Sequence, residues 1–230
     1  RGNPDATRGN TFRDIIVENN KITDVGTSGS VTTTGIELVN INIDTTKNGQ
    51  VRNNMILLGN VTSNSSIRGF YFYHCSNLDI NHNTAVLNSG HPLFGGNIYM
   101  SASTSTTQFI PTGNDIHNNI LVNYNTGSAI HAETQCQPGI FFTSDHNIYF
   151  GNSTTTMAYG TVGTGVNTIS AWNTLSGGQD LNSIFGDPIF VSASDIHTAG
   201  TLADSSGTPL GLTLDFDGDI RSLTNPDIGA

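Results

Sequence analysis

The sequence predicts an all-β protein, a parallel β-helix of about five to seven coils closed by a C-terminal cap. Three observations predict it. An asparagine recurs at intervals that fit one coil, an alternating apolar strand follows each recurrence, and the composition is poor in charge but rich in strand and turn residues.

Five segments align on the asparagine: IIVENNKI (15–22), GQVRNNMI (49–56), LDINHNTA (78–85), NDIHNNIL (114–121) and FTSDHNIY (142–149). The anchors Asn20, Asn54, Asn83, Asn119 and Asn147 lie 34, 29, 36 and 28 residues apart, and each follows an Asn or a His. These intervals are too short and too Gly-rich for βαβ units but fit a turn of several short strands. Asparagine suits a sharp corner because it tolerates left-handed backbone angles. Coils stack about 4.8 Å apart, so the anchors are expected to form a ladder of amides, each donating to one neighbour and accepting from the next. A row of ligand donors is the alternative reading, and scaffold is preferred.

The second column is GIELVN (35–40), GFYFYH (69–74), NIYMSA (97–102) and AIHAET (129–134), reached 16, 16, 15 and 11 residues after the anchors. Alternation at period two is the mark of a half-buried strand. The inward pairs are Ile36/Leu38, Phe70/Phe72, Ile98/Met100 and Ile130/Ala132. Loops of variable length explain the drifting period.

Only 35% of the chain is hydrophobic and 11% charged, yet it holds 11 Phe and 6 Tyr, which argues for a narrow solenoid core rather than disorder. A net charge of -10 with two lysines, Lys21 and Lys47, argues against nucleic acid and anionic membranes as partners. No apolar run approaches a membrane span. An acidic surface rich in Thr, Asn and Gly points to an extracellular or cell-surface location. Beginning in mid-pattern at Arg1, the chain reads as a processed product or a fragment of a longer one, with no obvious N-terminal cap. End-to-end self-association through the first coil is therefore open, as is contact with other domains of the same polypeptide. Cys75 and Cys136 stand two coils apart, about 9.6 Å by strand spacing, beyond disulfide reach, so buried free thiols are favoured.

The pattern changes near residue 160. The helix or turn at Ala171–Trp172 and the stretches SIFGDPIFVSASDIH (183–197) and DFDGDIRSLTNPDIGA (215–230) make 165–230 the capping segment and 1–164 the coils. The coil pattern resembles the right-handed parallel β-helix repeat proteins of the pectate-lyase-like superfold. The tail resembles the end of β-helix domains in large secreted surface proteins of Bacteroidota type. The resemblance implies a right-handed helix and a secreted parent protein, but hosts lyases, hydrolases, epimerases and adhesins alike, so it implies no single activity.

The outward positions of the second column give one strip: Glu37, Tyr71, Tyr73, Tyr99, His131 and Glu133, with His74 just beyond. Tyrosine faces stack on sugar rings and carboxylates accept hydroxyl hydrogen bonds, which makes this the candidate carbohydrate-binding surface. Tyr99, His131 and Glu133 are the weak catalytic candidates. Against catalysis, the repeats hold few basic groups (Arg52 and Arg68), and Glu37 and Glu133 stand about 14 Å apart, too far for a hydrolase pair. Asp79, Asp115 and Asp145, from consecutive coils, are weak Ca²⁺ candidates, with a solvated acidic face preferred. Asp215, Asp217 and Asp219 are also weak Ca²⁺ candidates, with pairing of Asp217 or Asp219 to Arg221 preferred. The histidines are expected at turns and the surface. No cofactor is required, and Ca²⁺ is the one ion the acids would suit. Together these features predict a non-catalytic adhesion, carbohydrate-binding or assembly domain whose partner is a glycan or cell-surface polymer. The alternative is a polysaccharide-active enzyme.

Overall fold

The computed structural model describes residues 15–23, 32–43, 48–59, 66–88, 95–103, 111–161 and 164–230. Each coil contributes three short strands. They are β1 (Ile16–Glu18), β2 (Lys21–Thr23) and β3 (Thr33–Val39); β4 (Gly49–Arg52), β5 (Met55–Leu58) and β6 (Ile67–Tyr73); β7 (Leu78–Asn81), β8 (Thr84–Leu87) and β9 (Gly96–Ser101). Then follow β10 (Asn114–His117), β11 (Ile120–Asn123) and β12 (Ser128–Ala132), and finally β13 (Phe142–Asp145), β14 (Ile148–Gly151) and β15 (Met157–Tyr159). Like strands stack in parallel into three sheets, β1-β4-β7-β10-β13, β2-β5-β8-β11-β14 and β3-β6-β9-β12-β15. The architecture is a parallel β-solenoid. Its first sheet is entered five times, which makes about four full turns. Among the described residues the coils stand at the low end of the expected five to seven, because the chain leaves the coil path after β15.

The corner between the first and second sheets is the repeated asparagine pair. The left-handed residue is the one before the anchor: Asn19, Asn53, His82, Asn118 and His146 have φ of 56°, 50°, 50°, 55° and 55°. This corrects the expectation that the anchor itself takes the turn. With the bend made one residue earlier, the anchor side chain lies along the solenoid axis. The Nδ2 groups of Asn20, Asn54, Asn83 and Asn119 donate to Oδ1 of the next anchor at 2.9, 2.9, 2.9 and 3.0 Å. Each of those oxygens also accepts the backbone N–H of the anchor one coil back, at 2.9–3.2 Å.

The column ends on Asp180, a carboxylate only 1% exposed. It accepts from Asn147 Nδ2 (3.2 Å), Tyr149 OH (3.0 Å), Ser183 Oγ (2.6 Å), Trp172 Nε1 (2.7 Å) and Ser144 Oγ. A buried charge is tolerated only when its lone pairs are met, and here five donors meet them. Trp172 is fully buried on α1 (Ile169–Leu175), whose N-cap Thr168 accepts from the Ala171 N–H. That helix and β16 (Ile184–Phe185), which pairs with β14, cover the end of the coils.

The rest of the segment expected to cap the end does something else. Strands β5, β8 and β11 (MILL, TAVL, ILVN) are buried at every position, so the second sheet is apolar on both faces. Ile56, Leu58, Ala85, Leu87 and Leu121 face the central core, while Met55, Leu57, Val86, Ile120 and Val122 face outward. The outward set is covered by the hairpin β17 (Phe190–Ser192) and β18 (Asp195–Thr198) and by the tail, through Ile196, Ala203 and Ile228. The tail therefore runs back across the coils as a strap. Asn118 accepts the Thr208 N–H and donates to the Thr208 carbonyl, and Ala230 N–H donates to Thr84 Oγ1. Arg221, only 7% exposed, donates to the carbonyls of Asp227 and Gly229 and to Asn53 Oδ1.

His82 stands at a turn as expected, but beneath this strap and 1% exposed rather than on the surface. Burial, with Arg221 nearby, pushes its pKa down to about 3. The folded state thus prefers neutral His82. Its contribution is fully present above the ordinary histidine pKa of about 6.5 and is lost as pH falls toward 3. Within that window each pH unit is expected to cost up to about 1.4 kcal/mol from this group. His82→Asn, which places at this corner the residue that Asn19, Asn53 and Asn118 supply elsewhere, should flatten the fall in thermal midpoint between pH 6.5 and 4, measured by circular dichroism.

Candidate functional site

The outer face of the third sheet collects the polar and aromatic groups. Register alone builds it. Glu37, Tyr71, Tyr99 and His131 pair in line across β3, β6, β9 and β12, and Val39, Tyr73 and Ser101 form the next row. The inward partners Ile36, Phe70, Ile98 and Ile130 also align, as do Leu38, Phe72, Met100 and Ala132. Gly69 admits the chain to this sheet, since a Cβ there would stand 2.7 Å from the Asn97 carbonyl.

The strip is graded in exposure. Glu37 is exposed and Tyr71, Tyr73, His74 and Glu133 are half-buried. Tyr99 and His131, expected to face solvent, are 2% and 4% exposed. Tyr99 and His131 are stacked with ring centroids 4.8 Å apart and planes 7° from parallel. Tyr71 lies 5.9 Å from Tyr99 and 6.4 Å from Tyr73, and Tyr73 is 4.8 Å from His74. Across this run of rings lies Arg68, its guanidinium 4.2 Å from the Tyr71 centroid and 4.4 Å from that of Tyr99, a cation–π clasp on two rings. The hydroxyl edges are tied as well. Tyr99 OH donates to Glu133 Oε1 at 2.8 Å, and Tyr71 OH shares a hydrogen bond of 2.8 Å with Ser101 Oγ.

Electrostatics follow from that packing. Burial, with the bond to Glu133, raises the Tyr99 pKa well above the usual phenol value. Burial raises that of Tyr71. His131 is pushed down to about 4, first by burial and then by the Arg68 charge. These shifts all favour the neutral form of the rings, which lie between the side chains of Arg68 and Glu133. Among the described residues the buried Nε of Arg68 and Nε2 of His131 have no hydrogen-bond partner.

The other candidates are not brought into one site. Asp79 and Asp115 are neighbours in register, but Asp115 pairs with Thr143, while Asp145 pairs with His117 in the next row. The three carboxylates therefore do not form one column, because the anchor-to-strand spacing puts Asp145 two residues further along its strand. Asp79 accepts from Asn48 Nδ2 at 2.7 Å, Asp115 from Thr143 Oγ1, and Asp145 from Asn182 N and Nδ2, both at 2.7 Å. The adjoining row starts with Arg52 donating to Glu18 at 2.7 Å. In the tail, Asp215 accepts the N–H groups of Asp217 (3.0 Å) and Asp219 (2.8 Å), closing a tight turn. Asp217 pairs with His197 Nε2 at 2.9 Å, and Arg221 takes carbonyls and Asn53, so the expected acid–Arg221 pair does not form. Among the described residues no group of three or more His, Cys, Asp or Glu is placed to hold a metal ion. Cys75 and Cys136 are buried and free, and burial pushes the Cys75 thiol up to about 12.

Arg68 is the residue that sequence reasoning left out. It is the second residue of β6, two before the apolar alternation begins at Phe70, so it belongs to neither row of the pattern. The usable signal was a lone arginine, one glycine before an aromatic run, in a chain with few basic groups. Among the described residues no helix is long and apolar enough to cross a membrane. No family model, curated protein or solved structure matches the chain.

The clasp makes a direct expectation. By NMR titration His131 should remain neutral down to about pH 4. Arg68→Met should raise its midpoint by removing the nearby charge, yet leave it below the ordinary value of about 6.5, because burial is the larger cause.

Proposed function

We propose that this chain is a non-catalytic glycan-binding domain of a secreted or cell-surface protein, and that a saccharide lies along the outer face of the third sheet. The observation that carries the reading is the graded ring row: half-open Tyr73 packs on half-open Tyr71, Tyr71 on buried Tyr99 and Tyr99 on buried His131, with half-buried Arg68 clasping Tyr71 and Tyr99. Rings fixed in advance lose little freedom on binding, and an apolar face with polar edges matches a sugar ring with its hydroxyls. Exposed Glu37, one strand from Tyr71, supplies an acceptor for those hydroxyls. The acidic, Thr/Asn/Gly-rich composition supports an extracellular setting. The solenoid form is compatible with the right-handed, pectate-lyase-like relationship and the Bacteroidota-type surface-protein parent that the tail resembles, and both belong to this proposal.

A polysaccharide-active enzyme is the second reading, favoured by the convergence of Arg68, Tyr99, His131 and Glu133 from three adjacent coils. The proton placement weighs against it. Tyr99 is held protonated against Glu133, and His131 is neutral and too weakly basic to shuttle protons near neutrality.

Glycan-array screening followed by calorimetry tests the proposal. Replacing both Tyr71 and Tyr73 with alanine should weaken binding of any captured glycan at least about tenfold with little change in thermal midpoint, since both rings are half-open. Failure of the wild type to retain any glycan, or retention unchanged in the double variant, contradicts the site. Depolymerisation of the glycan that His131→Ala and Glu133→Ala abolish establishes the enzyme reading instead.

A further inference from the structure

A second site lies on another face, where the strap crosses the second sheet. A cleft of about 530 Å³ opens there between Val86 and Tyr124 on the coils and Ile189, Phe190 and Ile196 on the strap, with Asp187 in its lining. Its volume falls in the range of small-molecule sites, roughly 300–1,000 Å³, and its walls are mainly apolar and aromatic, as such sites are. Tyr124 meets Phe150 edge-on at 5.9 Å, and Phe150 in turn lies 6.2 Å from Phe185, so the aromatic wall is braced from the coil side.

Two features of the cleft bear on what it could hold. Ile189 has φ of 55°, the left-handed region that a β-branched residue avoids, and its side chain is 60% exposed. The corner is pinned from both sides. Asp187 Oδ1 accepts the Ile189 N–H at 3.0 Å, and the Ile189 carbonyl accepts from Ala199 N at 2.7 Å and Gly200 N at 3.2 Å. The strained backbone thus holds a large apolar side chain at the rim rather than in the core. The second feature is Asp187 itself, an exposed carboxylate in the lining. The same Oδ1 takes the Tyr124 hydroxyl at 3.4 Å, the other oxygen has no partner among the described residues, and no cation there pairs with the group. The cleft therefore offers aromatic walls and one carboxylate with a free oxygen, in a chain of net charge -10.

We infer that this cleft binds a small organic cation with an aromatic or aliphatic body, its ammonium or guanidinium group paired with Asp187 and its body held by Tyr124, Phe190 and Ile189. The site is separate from the third-sheet strip and does not depend on glycan binding there.

The test uses three indoles of one shape and different charge: tryptamine, tryptophol and indole-3-propionate. Binding is followed by methyl NMR of Val86, Ile189 and Ile196. Tryptamine should produce saturable shifts at all three. Tryptophol should bind at least tenfold more weakly, and indole-3-propionate should produce none. Asp187→Asn should reduce tryptamine affinity to that of tryptophol. Because that change also removes charge from the contact to the Ile189 N–H, Ala193→Trp, which fills the cleft and leaves the carboxylate in place, provides a second variant and should abolish the shifts. No saturable shift with tryptamine, equal binding of the anion, or tryptamine binding that survives Ala193→Trp overturns the site.

Discussion

A chain of amide-to-amide hydrogen bonds runs up one corner of this molecule, and the rest of the structure is positioned by it. Each anchor asparagine donates to the next and accepts both the side chain and the backbone N–H of the one before. Its remaining proton goes to a strand carbonyl, as Asn83 Nδ2 does to Val51 at 2.8 Å and Asn119 Nδ2 to Ile80 at 2.8 Å. A slip of one residue in any coil would break the column at two contacts and turn an apolar row outward. The column needs a terminus that accepts without having to donate onward, and Asp180 fills that role. The same carboxylate fixes Trp172 over the core end.

Once the corner is fixed, the three sheets can differ on their outer faces. The first carries a polar row, in which Glu18, Arg52, Asn81, His117 and Asp145 follow one another in register. The second is apolar outside as well as inside and would be an exposed hydrophobic face without the strap, which Arg221 and Asn118 fasten through carbonyls and amides. The third carries the aromatic strip, in which spacing set by the coils brings rings within stacking distance. Function is proposed where identical geometry meets non-identical residues: the scaffold repeats, while Glu37, Tyr71, Tyr99 and His131 differ at one position.

Legibility from sequence tracked this division. The solenoid was readable because Asn20, Asn54, Asn83, Asn119 and Asn147 and the alternating strands after them repeat, and the inward partners could be paired from offsets alone. What one sequence position cannot show is which neighbour covers it. Tyr99 and His131 alternate outward and yet are buried by each other, by Arg68 and by adjoining groups. The left-handed corner was assigned one residue late because Asn stands at both positions in three coils, and only His82 and His146 distinguish them. The strap was hidden for another reason: residues 200–230 have no strand periodicity, since they bind through isolated carbonyls. Its signal lay elsewhere, in MILL, TAVL and ILVN, whose unbroken apolar character requires cover on both faces.

Equilibrium urea unfolding of Asn83→Ala beside Asn20→Ala tests the asparagine column most directly. Asn83 is buried in mid-column and its loss strands the Asn54 amide, two strand carbonyls and the Asn119 oxygen, whereas Asn20 is exposed at the end. The central substitution should cost about 3 kcal/mol or more and the terminal one less than about 1 kcal/mol. Equal costs, or a central loss no larger than that of an exposed asparagine, would contradict the column as the constraint that sets the fold.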